Sequence, residues 1–440
     1  MTVIAERMAA AGFVPMIFGK WDQGWASQRH TPRGRGYARS LVYAEHMNDY
    51  FSQHIEPTGT SCANTSLFDL WEDDGPATAL AGTGRYFDDM VFARAREAIA
   101  NFSRGALAPA RGLFLDVRPH SMHWPLQLAP SDFANFSWVG DDEALCAARF
   151  YGGGMWPEAL APGGRAFSCR RQYQAMLARL DANIGTLEDA LVAAGLWEAT
   201  LVTLFSDNGG VIDRTESAGN NYPLRGGKYG PFEGGIRMTA LWSGGYLPAA
   251  ARGTAAEGLV SVADYAATLC ALAGGAACGA DARAAAGGLP PPDSLDVWAH
   301  VTGANATSPR AELAVDAGVL LRADGAALWK LMLGDFGGAG WTGPTFPNAS
   351  GADPKAVALA CAPACLFDVR ADAGEHRDLA AARPDIVAAM TARLAALRPG
   401  FYSNSDRGGR DLCPAGTADC LCYAAEHTYG GFLGPFHEFA

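Results

Sequence analysis

Phe205-Ser-Asp207-Asn208-Gly-Gly210 places a carboxylate and an amide oxygen directly after the apolar run Thr200-Leu-Val-Thr-Leu-Phe205. In open α/β sheets, ligands bind just outside the carboxyl ends of the strands. An Asp–Asn pair offers hard oxygen atoms suited to Ca²⁺ or Mg²⁺. The same four residues are also common turn chemistry, and alone they read as a capped turn. The chain then continues Gly219-Asn-Asn-Tyr-Pro223-Leu-Arg225-Gly-Gly-Lys228-Tyr-Gly-Pro-Phe-Glu233-Gly-Gly-Ile-Arg237. A polar stretch of this length, punctuated by glycine, costs too much ordering entropy to be only a connection.

Read jointly, these segments resemble the sulfatases, in particular the arylsulfatase B-like group of the alkaline phosphatase superfamily. That family has Ser-Asp-Asn-Gly-Gly, then Pro-Leu-Arg-Gly-x-Lys, then Glu-Gly-Gly-x-Arg, in this order and near this spacing. Gly19-Lys20-Trp21-Asp22-Gln-Gly24 is similar to its Gly-Lys-Trp-His-x-Gly, and His123-Trp-Pro125-Leu-Gln127 to its His-x-Pro-Leu-Gln. Asp296-Val-Trp298, Leu366-Phe-Asp368-Val, Glu375-His-Arg377-Asp-Leu379 and Gly430 to Phe436 resemble its C-terminal part. The resemblance therefore runs through essentially the whole chain.

It implies hydrolysis of sulfate monoesters, aryl or carbohydrate, with calcium. Asp207 and Asn208 are the implied calcium ligands. Lys20 and Lys228 hold sulfate oxygens as point charges. His123 protonates the leaving oxygen as a general acid, with His120 as second candidate. Without the family, either histidine reads as a strand-end cap or a core residue. Arg225 and Arg237 read as structural partners of Glu233.

Two departures stand out. Family members oxidise a cysteine or serine in a Cys-x-Pro-Ser-Arg-like motif to formylglycine, the nucleophile. No such motif occurs in these 440 residues. Cys361-Ala-Pro363-Ala-Cys365 lacks the Ser-Arg and reads as structural. The family's paired Asp after its first apolar strand is also unmatched. Asp73-Asp74, Asp88-Asp89 and Asp141-Asp142 read as solvated turns or helix starts. The expectation is a chain that starts at the helix before Gly-Lys-Trp, truncated at its N-terminus and inactive as it stands. The rival expectation is a non-catalytic binder of sulfated glycans, or a fragment without function. The second departure is Asp22 where the family has His, because an ionised Asp cannot donate a hydrogen bond.

The elements that must position these residues alternate. Val3, Ile4, Met8 and Ala9 have helical spacing. Phe13 to Phe18, Leu113 to Val117, Thr200 to Phe205 and Ala240 to Trp242 read as strands. A helix presents Tyr173, Met176, Leu177, Leu180, Ile184, Leu187 and Leu191, and ends at Gly195. Such alternation argues α/β with a mixed, largely parallel sheet. With the resemblance, the expected fold is an alkaline-phosphatase-like sandwich plus a smaller α+β C-terminal domain. The boundaries read as 1–275 for the catalytic-type domain, 276–295 for an Ala/Gly/Pro linker, 296–398 for the smaller domain and 399–440 for a cysteine-containing tail.

The formal charge of −12 disfavours nonspecific nucleic-acid binding. No apolar run reaches the ~18 residues of a membrane span. Ten cysteines and five Asn-x-Ser/Thr sequons, at Asn64, Asn101, Asn135, Asn305 and Asn348, suit a secreted, lysosomal or lumenal glycoprotein with disulfides. No signal peptide is evident in the first residues.

Overall fold

The computed structural model describes residues 1–55, 66–128, 132, 136, 169–212, 218–274, 281–344, 353–401 and 419–437. Asp141-Asp142 and the sequons at Asn64, Asn135 and Asn348 lie outside the described residues.

Helix α1 (Ile4–Ala10) leads into strand β1 (Phe13–Lys20), followed by β2 (Arg39–Tyr43), β3 (Trp71–Glu72), β4 (Gly75–Pro76), α2 (Phe87–Ser103) and β5 (Gly112–Arg118). These strands form one sheet in the order β4-β3-β2-β1-β5. β1 is parallel to both neighbours, with Ile17 opposite Ser40 and Asp116. The short β3 and β4 close the far edge antiparallel. β1 is buried on both faces, as a parallel strand covered by helices must be. Met16 and Phe18 join Leu41, Tyr43, Phe87, Met90 and Met176 on one side. Ile17 joins Val42, Trp21, Trp25 and Trp71 on the other.

α3 (Cys169–Ala193) lies against the first of these cores through Tyr173, Leu180, Ile184 and Leu187. Leu177, expected on that face, is 46% exposed; Met176, one residue away, takes the buried position. Gly195 follows with φ of 68°, the left-handed conformation that ends a helix.

β6 (Val202–Phe205), α4 (Glu233–Ile236) and β7 (Ala240–Ser243) come next. β6 and β7 pair antiparallel, with Leu204 opposite Leu241, in a two-stranded sheet of their own. The mixed sheet thus comes in two pieces. Among the described residues, β5 is hydrogen-bonded to β1 alone and β6 to β7 alone.

α5 (Asp264–Leu272), α6 (Ala282–Ala286) and α7 (Trp298–Val301) lead to β8 (Glu312–Asp316), β9 (Val319–Asp324), β10 (Ala327–Phe336) and β11 (Leu359–Asp368). Within the described part of the Ala/Gly/Pro stretch, α6 gives local order that the composition does not suggest. Asp281 caps α6 through Ala284 N–H (2.9 Å) and also accepts Thr2 N–H (2.7 Å), tying the stretch to the start of the chain. β8 to β11 form an antiparallel sheet in the order β11-β10-β9-β8. One face, with Val319, Leu321, Met332 and Phe367, packs on Phe232 of the larger part. The other, with Leu320, Leu331 and Leu366, receives Ile386, Met390 and Leu394 of α8 (Pro384–Leu397). The last helix is α9 (Cys420–His427). Cys361 and Cys365 form a disulfide within β11, consistent with a structural role for that Cys-x-Pro segment.

Candidate active site

Lys20 is the last residue of β1, and the pairing with β2 runs on past it. Trp21 N–H donates to Tyr43 O (2.9 Å) and Asp22 N–H to Ala44 O (3.2 Å). Asp22 sits at φ of 44°, and its carboxylate lies 3.4 Å from the Lys20 ammonium. The next turn is held from beneath. Buried Asp69 accepts Ala44 N–H (2.6 Å) and Glu45 N–H (2.9 Å). Burial pushes its carboxyl up to about 7, against the downward pull of those two donors.

His123 lies past the end of β5. Asp88, in the first turn of α2, accepts His120 N–H (2.7 Å) and Ser121 N–H (3.0 Å). It is 1% exposed, so the solvated helix start expected for this residue is a buried backbone anchor instead. Asp73, by contrast, is a turn residue at φ of 50° paired with Arg39 at 2.7 Å. Gln127 of the His-x-Pro-Leu-Gln segment accepts Tyr50 N–H (2.8 Å) and donates to Asp49 (2.7 Å), fixing the loop's far side. His120 is 2% exposed and stacks on Tyr50 at 4.0 Å. Burial holds its imidazole well below the usual range.

The His123 ring bridges two groups. Nδ1 lies 2.7 Å from Trp124 O and Nε2 lies 3.1 Å from the Lys228 ammonium. A carbonyl only accepts, so Nδ1 carries the hydrogen and the Nε2 lone pair accepts from Lys228. Burial, then the Lys228 charge, hold His123 down to about 4. Burial and Lys20 also lower the Lys228 ammonium, while Asp207 and Asp22 raise it. Lys20, Asp22, His123, Asp207 and Lys228 therefore share one electrostatic site.

His46 belongs to it as well, half-buried and acted on by Asp22, Lys20 and Lys228. Nothing in the sequence singled it out. Its place follows from the Asp22–Ala44 pairing, which was not legible before the register of β1 and β2 was known.

Asp207 is exposed at the end of β6. Asn208 donates its amide to Gly209 O at 2.9 Å, which leaves Oδ1 available. The turn is clamped by the glycine-rich loop. Asn221 accepts Gly210 N–H (2.9 Å) and donates to Gly226 O (3.0 Å), and Lys228 N–H donates to Gly210 O (3.1 Å). Gly209 must lack a side chain, since a Cβ there would lie 1.7 Å from Gly234 O. Gly209→Ala is expected to force the turn and α4 apart and to cost about 1–3 kcal/mol or more, as overpacking does. Gly185→Ala, in α3 with nothing within 4 Å, is expected to stabilise. Urea midpoints of the two variants moving in the same direction would refute this.

Glu233 does not pair with Arg225 or Arg237 as expected. Its carboxylate lies 3.1 Å from Lys330 of β10. Arg225 instead donates to Ala339 O (2.7 Å) and lies over the rings of Phe232 and Trp341. The reason is burial: a guanidinium 6% exposed is satisfied here by carbonyl and ring faces.

As calcium ligands, Asp207 and Asn208 fit in kind but not in number. Calcium takes about six to eight oxygens, and the described residues hold no cluster of three or more His, Cys, Asp or Glu suited to a metal.

A family model described as Sulfatase matches residues 1–276. The chain belongs to the sulfatase family. Mouse (Mus musculus) arylsulfatase J is 25% identical over 415 residues, covering 89% of this chain and 61% of the relative. Human (Homo sapiens) arylsulfatase A is 29% identical over 282 residues, 62% of this chain and 47% of the relative. Human N-acetylgalactosamine-6-sulfatase is 36% identical over 278 residues, 62% and 44% respectively. This sulfatase chain thus spans at most about 61% of the length of these relatives. Among solved structures, Ps i-CgsB superposes with a TM-score of 0.63 at 19% identity, over 93% of this chain and 78% of the other. PsFucS1 sulfatase from Pseudoalteromonas sp. gives 0.59 at 16%, over 92% and 74%. The fold is the alkaline-phosphatase-like one of the sulfatases, with a separate antiparallel C-terminal sheet. No helix among the described residues is long and apolar enough to cross a membrane.

Proposed function

We propose that this chain carries the sulfate-binding and leaving-group half of a sulfuric ester hydrolase site, for aryl or carbohydrate sulfate monoesters. The observation that carries the reading is the 3.1 Å contact between Lys228 Nζ and His123 Nε2. A bound ester places sulfate oxygens on Lys20 and Lys228, and its bridging oxygen takes a proton from His123. That step needs a proton on Nε2, which Lys228 disfavours by pointing its charge there. A sulfate group seated between the two lysines offsets that charge and returns the imidazole toward protonation. The substrate classes follow the arylsulfatases and the N-acetylgalactosamine-6-sulfatase among the relatives.

Asp207 and Asn208 contribute two oxygens to a calcium site; such a partial set binds weakly, since affinity follows ligand charge and number. Calcium, if held there, would supply charge stabilisation for the sulfate. Exposed Asn305, half-buried Asn101 and the disulfide-bonded Cys270, Cys361, Cys365, Cys420 and Cys422 support a secreted, lysosomal or lumenal setting.

A second reading, binding of sulfated glycans without turnover, is favoured by the missing Cys-x-Pro-Ser-Arg-like motif in these 440 residues. Both readings require the anion pocket. Calorimetry with p-nitrophenyl sulfate is expected to show binding that Lys228→Ala weakens by about tenfold or more, the worth of one charge-assisted hydrogen bond. Equal affinity in the variant would overturn both.

A further inference from the structure

We infer that the C-terminal sheet positions Lys228, through a buried ion triad of Lys330, Glu233 and Glu375 that fixes the loop carrying it. Lys330 lies on β10, flanked by β9 and β11, and its side chain is fully buried. Its ammonium lies 2.8 Å from Glu375 and 3.1 Å from Glu233. Glu375 follows β11, sits at φ of 54°, and accepts Glu233 N–H with its second oxygen at 2.8 Å. Glu233 opens α4 on the other side of the interface. The sheet thus grips both the side chain and the backbone of this one residue.

The grip is transmitted to Lys228 by short links. Gly234 N–H donates to Arg225 O at 2.7 Å, closing the loop between them. The Arg225 end is held by the same sheet side, with Arg225 Nε on Ala339 O (2.7 Å) and Gly226 N–H on Gly340 O (2.9 Å). Both ends of the Lys228 loop are therefore fastened to residues of the smaller domain. The middle is fastened by Lys228 N–H on Gly210 O.

A triad this buried is a poor source of stability. Well-packed apolar side chains of similar volume often serve a core as well or better. Its distinctive contribution is direction: three charged groups with fixed geometry leave α4 one orientation. Lys330, Glu233 and Glu375 are buried, at 0, 4 and 1% exposed, and act on Lys228 only through the loop, so they are positioning residues.

The test reads the Lys228–His123 contact itself and so needs neither substrate nor turnover. It stands or falls independently of the proposed reaction. The full chain is labelled on histidine, and the imidazole titrations are followed by NMR, with His123→Gln used only to assign the His123 signal. The groups acting on that ring are Lys228, the Trp124 carbonyl, Lys20 and His46, with the His120 ring stacked beside it at 5.8 Å. In the parent chain, where burial and then the Lys228 charge hold His123 down, it is expected to titrate at about 4. In Lys330→Met, and in Glu375→Gln, which keeps an oxygen for Glu233 N–H, it moves upward by about one pH unit or more as Lys228 withdraws. Arg310→Met is the control. It breaks another buried ion pair, to Asp264 at 2.5 Å, away from this loop. It lowers thermal stability and leaves the His123 titration in place. If Lys330→Met and Glu375→Gln lower stability while His123 still titrates at about 4, the triad is only structural and the inference is wrong. Should Lys330→Met fail to fold, Glu375→Gln decides alone.

Discussion

The purified 440-residue chain is expected to release sulfate from p-nitrophenyl sulfate no faster than about 10³–10⁴-fold above water, the residue left when an enzyme loses its nucleophile but keeps its binding site. Full enzymes reach about 10⁶–10¹⁷-fold. The proposed site would supply two cations and a proton carrier, but within these residues no Cys-x-Pro-Ser-Arg-like motif supplies the attacking oxygen. Asp22, 3.4 Å from Lys20, neutralises part of the charge that would draw an anion in. The assay compares the parent with Lys228→Ala. Sulfate release at an enzymatic rate, abolished in that variant, would place a nucleophile in this chain and overturn the expectation.

The second large effect concerns association. β5 and β6 each use one edge for hydrogen bonding and leave the other unpaired in the described sheets. Leu204, Phe205 and Leu241 are 37, 39 and 44% exposed on the small sheet. An unpaired apolar edge is a template for another chain. Light scattering at tens of micromolar is therefore expected to show concentration-dependent self-association. Leu204→Lys, which puts a charge where Leu204 faces Leu241, is expected to shift the population to monomer. A monomer at all concentrations, in parent and variant alike, would show that these edges are covered.

Much of the architecture was legible in the sequence because it rests on local patterns. The strands at Phe13, Leu113, Val202 and Ala240 follow from apolar runs, and α8 from Pro384 with Ile386, Met390 and Leu394 at helical spacing. Lys20, His123 and Lys228 stand out as a group only through the resemblance, since no single one of those residues differs locally from a surface lysine or a core histidine. What stayed hidden depends on partners distant in the chain. Glu233 was assigned to nearby arginines because they are close in sequence, while its actual partner is Lys330, 97 positions on. Asp88 looked like an exposed helix start because acidic residues favour the first turn; that it faces inward to hold His120 and Ser121 depends on the packing of α2 against β5. His46 and the split between β5 and β6 are likewise matters of register.

The ordered cap at Asp281 is followed by an exposed stretch, 285–291. A protease that cuts there severs the backbone at an exposed point. It does not separate the halves, because the downstream side stays tied to the upstream one through Arg310–Asp264 and Lys330–Glu233. Covalent continuity and mechanical integrity are carried by different residues in this molecule. A nicked preparation would keep the Lys228–His123 contact assembled while showing two bands on a denaturing gel.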